Sequence, residues 1–179
     1  MEILEGTLGT ADGRGDFVRV LLISANTETM NMPTLPLGLA CVAAATRMAG
    51  HDVTFIDLMF KDDPRSVIRN SIADFRPEVI GVSVRNIDDQ NMERPQFFLA
   101  GVRDILANCR SVSGAPIVLG GAGYSIFPES ARRYLGADMG IQGEGEAAFP
   151  ALVERIRNGT QVSDVPGVCL PGQPVSGRS

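Results

Sequence analysis

The sequence predicts a doubly wound α/β fold: one domain on a five-stranded parallel sheet, helices on both faces, strands in the flavodoxin-like (Rossmann-like) order 2-1-3-4-5. Three observations carry this. Short β-branched runs alternate strictly with longer segments of helical period. The first run, residues 17–24, is almost unbroken in β-branched residues and leucine, as a strand covered on both faces is. Gly or Pro stands where the helical segments stop or start. A chain of 179 residues with 44% apolar residues can close one core of ordinary domain size and is short for two.

Residues 1–16, rich in Gly, Thr and Asp without period, read as a flexible arm, and the domain proper as residues 17–158. The first strand covers residues 17–24, and the helix after it carries Leu37, Cys41, Ala44, Ala45 and Met48 at helical spacing and stops at Gly50. A strand at 53–57, a helix at 64–75 with Val67, Ile68 and Ile72 inward, and a strand at 79–84 complete a β-α-β-α-β run. A third helix, at 95–109, puts Phe98, Val102, Ile105, Leu106 and Cys109 on one face and leads to a strand at 117–119. Then come a helix at 128–135 opened by its proline, a strand at 139–142 and a helix at 144–158. Residues 159–179, rich in Gly, Pro, Ser and Val, read as an exit strand and linker toward a further domain.

Composition excludes several classes of function. The net charge of −5 comes from scattered acids and bases with no run of lysine or arginine to neutralise phosphates, which argues against nucleic acid. No apolar stretch approaches the ~18–20 residues of a membrane helix, and the acidic, glycine-rich start is unlike a signal peptide, so a cytoplasmic location is expected. Cys41, Cys109 and Cys169 lack the close spacing of zinc or iron–sulfur ligands, and the first two fall on helical stripes as buried thiols. His51 is the only histidine, which leaves little material for a histidine base or metal site.

In a doubly wound sheet the ligand lies beyond the carboxyl ends of the strands where connections diverge, here between strands one and three. The longest internal connections, 25–36 and 85–94, leave those two strands at that end, and the connections at the opposite edge are short. Gly120, Gly121 and Gly123 follow strand four, and Gly143 and Gly145 follow strand five, where missing side chains let a ligand approach backbone. A tight turn alone would account for any one of these glycines; two clusters on the long-loop edge favour a site. Gly143-Glu144-Gly145-Glu146 opens the last helix, where capping is a simpler account of the glutamates than ligand contact.

Three other sites fail on residues. No G-x-G-x-x-G follows strand one. A phospho-receiver's acids and lysine are replaced by Ser24-Ala25-Asn26, Ser83-Val84-Arg85 and Gly143-Glu144. A G-x-S-x-G elbow is missing, and Ser83 has no histidine near it.

A set of short strings then takes on meaning by its order: Pro33-Thr34-Leu35-Pro36-Leu37-Gly38-Leu39, Gly50-His51-Asp52-Val53, Pro77-Glu78-Val79-Ile80-Gly81-Val82-Ser83, Gly120-Gly121 followed by Pro128-Glu129, and Gly143-Glu144-Gly145-Glu146 ahead of Pro166-Gly167-Val168. In this order they resemble the cobalamin (vitamin B12)-binding domain that precedes the catalytic barrel of many radical-SAM enzymes, over residues 18–168. The wider cobalamin-binding fold has D-x-H-x-x-G after strand one, S-x-L at the end of strand three and G-G after strand four. Ser83 and Gly120-Gly121 match the second and third, Arg85 replaces the leucine, and the D-x-H-x-x-G is missing.

The resemblance implies a cobalamin bound base-off, its lower cobalt face without a protein histidine, which favours a weakly coordinated methyl donor. It implies a nucleotide tail along Ser83, Gly120 and Gly121, and a corrin resting on the loops after strands one and three. Arg85 and Asn86 are the candidates beneath the ring, and Asn26, Val84, Gly123, Gly143, Glu144 and Gly145 complete the expected cofactor-binding set. A [4Fe–4S] cluster and S-adenosylmethionine would belong to a radical-SAM barrel in cis, so this chain alone is expected to be a silent module of a methyltransferase or related radical enzyme. Two other readings remain: a flavodoxin-like regulatory domain that acts through protein contacts without cofactor, and a small enzyme using Asp57, Asp88, Asp89 or Glu144 as acid or base.

Overall fold

A computed structural model describes residues 17–27, 35–88 and 97–173. The expected arm at 1–16, Pro33, Thr34, Asp89, the expected helix start at Pro95 and residues 174–179 lie outside the described residues. The strands are β1 (Arg19–Ser24), β2 (Asp52–Asp57), β3 (Val79–Ser83), β4 (Ile117–Gly120), β5 (Met139–Ile141) and β6 (Val168–Cys169). They form one six-stranded sheet in the order β2-β1-β3-β4-β5-β6. The first five are parallel in the expected order, and β6 adds an antiparallel edge on β5 within the segment read as an exit strand.

Right-handed crossovers split the helices between two layers. The α1 helix (Leu37–Met48) and α6 (Gly145–Asn158) cover one face, and α2 (Pro64–Phe75), α3 (Leu99–Val112) and α5 (Pro128–Leu135), preceded by the single turn α4 (Ala122–Ile126), cover the other. The strand run reads as unbroken because side chains of β1 alternate between two cores: Val20 and Leu22 lie under α1 and α6, Leu21 and Ile23 under the opposite layer. The helix punctuation follows the chain's chemistry. Asp63 caps α2 by accepting from the Ser66 amide at 3.1 Å, Pro64 and Pro128 occupy first turns, and Gly136 and Gly159 stop α5 and α6 at φ of 70° and 61°.

The face of α1 is a correction to the sequence expectation. Ala43 and Thr46 are the buried residues, whereas Cys41 is exposed and Leu37 and Met48 are 71% and 89% exposed. The helix, LGLACVAAATRM, is apolar around most of its circumference, so period alone does not choose the inward face; contact with α6 chooses it. Cys109 is buried as expected, and burial pushes its thiol up to about 11. The turn α4 was not expected, since five residues carry no readable helical stripe.

Tyr124 of α4 is fully buried against the sheet, beside Cys169 of β6, and burial, with the thiol beside it, raises its phenol. Its hydroxyl occupies the volume where a side chain at Gly140 would stand, so β5 must carry glycine there. Gly140→Ala should therefore cost about 1–3 kcal/mol of stability through overpacking, read as a lower urea midpoint at unchanged slope. An unchanged midpoint would contradict this packing.

Candidate functional site

Beyond the middle of the sheet, two rows of register partners lie on the face under α1 and α6. Leu22, Gly81 and Val118 form the inner row, and Ser24, Ser83 and Gly120 the outer one at the carboxyl edge. Four of these six residues are Gly or Ser, so side chains do not fill the space between the strand ends and the two helices. The result is a cavity of about 670 Å³, within the roughly 300–1,000 Å³ of small-molecule sites. Its interior is apolar, with Val42 and Phe149 from the two helices and Ile141 from the end of β5, and its rim carries the polar groups of Asn26, Arg85, Ser125 and Glu144. Gly81 lets Leu22 and Phe149 close over the inner row: a Cβ there would stand 2.6 Å from Leu22 Cδ2 and 3.1 Å from the Phe149 ring.

The turn after β4 folds back on the end of β3. The Val84 amide donates to the Gly120 carbonyl at 2.8 Å, and the Val84 carbonyl accepts from the amides of Gly123 and Tyr124 at 3.0 and 3.3 Å. Gly121 has φ +99°, and its Cβ would meet the Val84 carbonyl oxygen at 2.6 Å and Ser83 Oγ at 2.9 Å. A Cβ on Gly123 would meet the Arg85 carbonyl oxygen at 2.8 Å. Gly120 differs from both, because nothing lies within 4 Å of its Cβ position. The chain thus needs Gly121 and Gly123 for its own close approach, and Gly120 alone leaves room on the cavity side.

Most of the expected cofactor-binding residues meet at this cavity. Asn26, Ser83 and Arg85 line it from the ends of β1 and β3, Gly120 and Gly121 from the turn after β4, and Gly143, Glu144 and Gly145 from the turn after β5. Val84, Gly123 and Asn86 do not line it. The Val84 side chain enters the opposite core, Gly123 is buried beneath the Arg85 backbone, and Asn86 borders a smaller cleft of about 200 Å³ beside Phe97 and Phe98. Glu144 holds the N-cap position of α6 without a side-chain hydrogen bond to the helix, and Glu146 lies in its first turn, so both carboxylates sit at the positive end of the helix dipole. The sequence reading missed the wall at Leu35–Val42, Ser125 and Phe149. Pro36-Leu37-Gly38-Leu39 was a signal for that wall; Ser125, one serine in an unpredicted turn, carried none.

His51 lies at the opposite edge of the sheet, where Nδ1 accepts from the Val18 amide at 3.3 Å and Nε2 faces Glu154 Oε1 at 3.3 Å. Glu154 also pairs with Arg157 at 2.8 Å. Burial lowers the imidazole's pKa, against the attraction of Glu154, and the accepting Nδ1 requires a neutral ring. Of the acids in the small-enzyme reading, Asp89 lies outside the described residues and Glu144 lines the cavity. Asp57 accepts from the Met59 amide in a turn, Asp88 sits in a bridge with Phe97, and among the described residues no group of three or more His, Cys, Asp and Glu is placed to hold a metal ion.

A doubly wound sheet with an apolar, polar-rimmed cavity at its switch point defines a small-molecule-binding α/β domain. Residues 23–153 match the B12 binding domain family, and the chain belongs to it. It is similar to the radical S-adenosylmethionine methyltransferase TsrM from Kitasatospora setae, solved with cobalamin and a [4Fe-4S] cluster bound, at 30% identity and a TM-score of 0.80 over 88% of this chain and 28% of that one. Among characterised sequences it is 28% identical over 148 residues to tryptophan 2-C-methyltransferase from Streptomyces laurentii, covering 81% of this chain and 25% of that protein. It is also 27% identical over 139 residues to hopanoid C-3 methylase from Methylococcus capsulatus, covering 74% of this chain and 24% of that protein. The chain spans about a quarter of the length of these two relatives.

Two measurements test the site's construction without ligand. Gly121→Ala should lose about 1–3 kcal/mol, since it forces a side chain into positive φ and against backbone, whereas Gly120→Ala should stay within about 0.5 kcal/mol of wild type; equal losses would contradict the division of roles. The depressed His51 pKa makes its stabilisation complete above the unfolded value of 6.5 and lost as pH falls through the lower folded value, because the unfolded chain takes up the proton first. Unfolding free energy should therefore fall less steeply from about pH 7 to pH 5 in His51→Gln than in wild type, and parallel slopes would count against it.

Proposed function

We propose that the chain holds cobalamin base-off, its nucleotide tail in the cavity over Ser83, Gly120 and Gly121 and its corrin over the loops after β1 and β3, as the cofactor module of a radical-SAM methyltransferase-type enzyme. The observation that carries this is the cavity itself, whose floor is open at Gly120. An apolar interior under a polar rim suits a ligand with an aromatic base at one end and a phosphate, ribose and amide-bearing ring at the other.

In this reading Val42, Ile141 and Phe149 exclude water from the base, Ser83 and the backbone at Gly120 and Gly121 hold the tail, and Arg85 and Asn86 support the ring. The position of His51 supports a cobalt without a histidine ligand: its side chain is buried at the far edge, accepting from Val18 and facing Glu154. Bound cobalamin supplies a cobalt able to carry a methyl group, and the [4Fe–4S] cluster and S-adenosylmethionine belong to a barrel in cis. Residues 17–158 are then the cofactor unit, 159–179 lead toward that barrel, and the setting is cytoplasmic. Among the described residues, no helix is long and apolar enough to cross a membrane.

The test is a titration of the 179-residue chain with hydroxocobalamin, followed by absorbance. Wild type should give the base-off spectrum, and His51→Gln should match it in affinity and band positions. Gly120→Val should bind at least about tenfold more weakly, a modest clash in a packed site, at near wild-type melting temperature. An unshifted spectrum in wild type, or a changed cobalt band in His51→Gln, would overturn the proposal.

A further inference from the structure

The two glycine turns that form one rim of the cavity lean on different neighbours. The β4–β5 ladder consists of Val118 with Met139 and Leu119 with Gly140, and stops there. Past that point the end of β4 stays with β3, through the pair Ser83 and Gly120 and the bond from the Val84 amide. The end of β5 stays with β6, through the pair Ile141 and Val168 and a bond from the Gln142 amide to the Gly167 carbonyl at 2.8 Å. A crevice therefore opens between the turn at Gly121 and the turn at Gly143, each in a positive-φ conformation, at +99° and +94°.

Ser125 spans that crevice. Its Oγ donates to the Gly121 carbonyl at 2.9 Å, which uses the hydroxyl proton and turns the lone pairs outward. One of them accepts from the Gly143 amide at 3.0 Å. The Ser125 carbonyl accepts from Gln142 Nε2 at 2.9 Å, a second bond across the same gap. Ser125 also lines the cavity, so the group that joins the turns stands at the ligand's edge.

We propose that Ser125 is a positioning residue for the cofactor: a clasp that holds the turns after β4 and β5 at the spacing the nucleotide tail requires. The proposal rests on the reading of the cavity as the tail site. The clasp acts where sheet pairing has ended, so removing it loosens the rim without unpairing a strand. A ligand that fills the cavity depends on that spacing; one that touches only the loops after β1 and β3 does not.

Three variants and two ligands test it. In the ligand-free chain, Ser125→Ala should speed hydrogen exchange of the Gly143 amide by roughly tenfold, the size expected for one lost hydrogen bond, while the melting temperature changes little. The same variant should raise the cobalamin Kd by roughly tenfold and leave binding of cobinamide, which lacks the nucleotide tail, within about twofold. Ser125→Thr keeps the hydroxyl and should restore both readouts, and Gln142→Met, which removes the other crossing bond, should move them in the same direction as Ser125→Ala. Unchanged Gly143 exchange in Ser125→Ala overturns the clasp whether or not cobalamin binds. Faster exchange with unchanged cobalamin affinity, or equal weakening of cobinamide, overturns the positioning role. Failure of wild type to bind cobalamin sinks the tail-site reading and the positioning role with it, and leaves the exchange result to stand alone as a structural clasp.

Discussion

The tight return of the chain after β4 onto the end of β3 is the constraint on which the rest of the site depends. Val84 sits at its centre, its amide bonded to Gly120 and its carbonyl shared by the amides of Gly123 and Tyr124. That approach is possible only because Gly121 and Gly123 lack side chains, each leaving the space a neighbouring carbonyl oxygen occupies. With the turn drawn under β3, Tyr124 is carried into the core against Gly140, Ser125 is brought to Gly143, and Gly120 is left as the last residue of the outer row with open space above it. A bulkier residue at Gly121 would therefore disturb the core and the cavity rim together.

The cavity is a consequence of which sheet face receives small residues. On the face under α2 and α3, Leu21, Ile23, Ile80, Val82, Ile117 and Leu119 fill the interface to close packing. On the other face the same strands carry Leu22, Gly81 and Val118, then Ser24, Ser83 and Gly120, and the volume falls away toward the carboxyl edge. The contact of α1 with α6 is close enough that a Cβ on Gly145 would stand 2.9 Å from Val42, so the helices cannot simply settle into the gap. The face under α1 and α6 is thus packed toward the amino ends of the strands and open toward their carboxyl edge.

The architecture was legible because the signals were redundant. Buried parallel strands, helix-opening prolines and terminating glycines all pointed to one topology. The edge that holds the cavity was legible for a related reason: loop length and glycine clusters both marked the edge where Ser24, Ser83 and Gly120 fall in register. What could not be read is what depends on which of several apolar faces packs, as in α1, where Cys41 and Met48 turned outward. The glycines were equally ambiguous, since Gly120, Gly121 and Gly123 look alike in a string, and only backbone geometry separates one that faces a cavity from two that accommodate a neighbouring chain. Ser125 was invisible because its role lies in bonds between turns distant in sequence.

In the proposed reading cobalamin sits at the carboxyl edge between β1 and β3 with no histidine coordinating cobalt from below. Cobalt anomalous scattering from a co-crystal of the chain with hydroxocobalamin tests it most directly. One cobalt peak is expected above the loops after β1 and β3, with ring density over Arg85 and Asn86, tail density reaching Gly120, and no histidine near the metal. A cobalt peak beside His51, or at any edge other than the one formed by Ser24, Ser83 and Gly120, would contradict it.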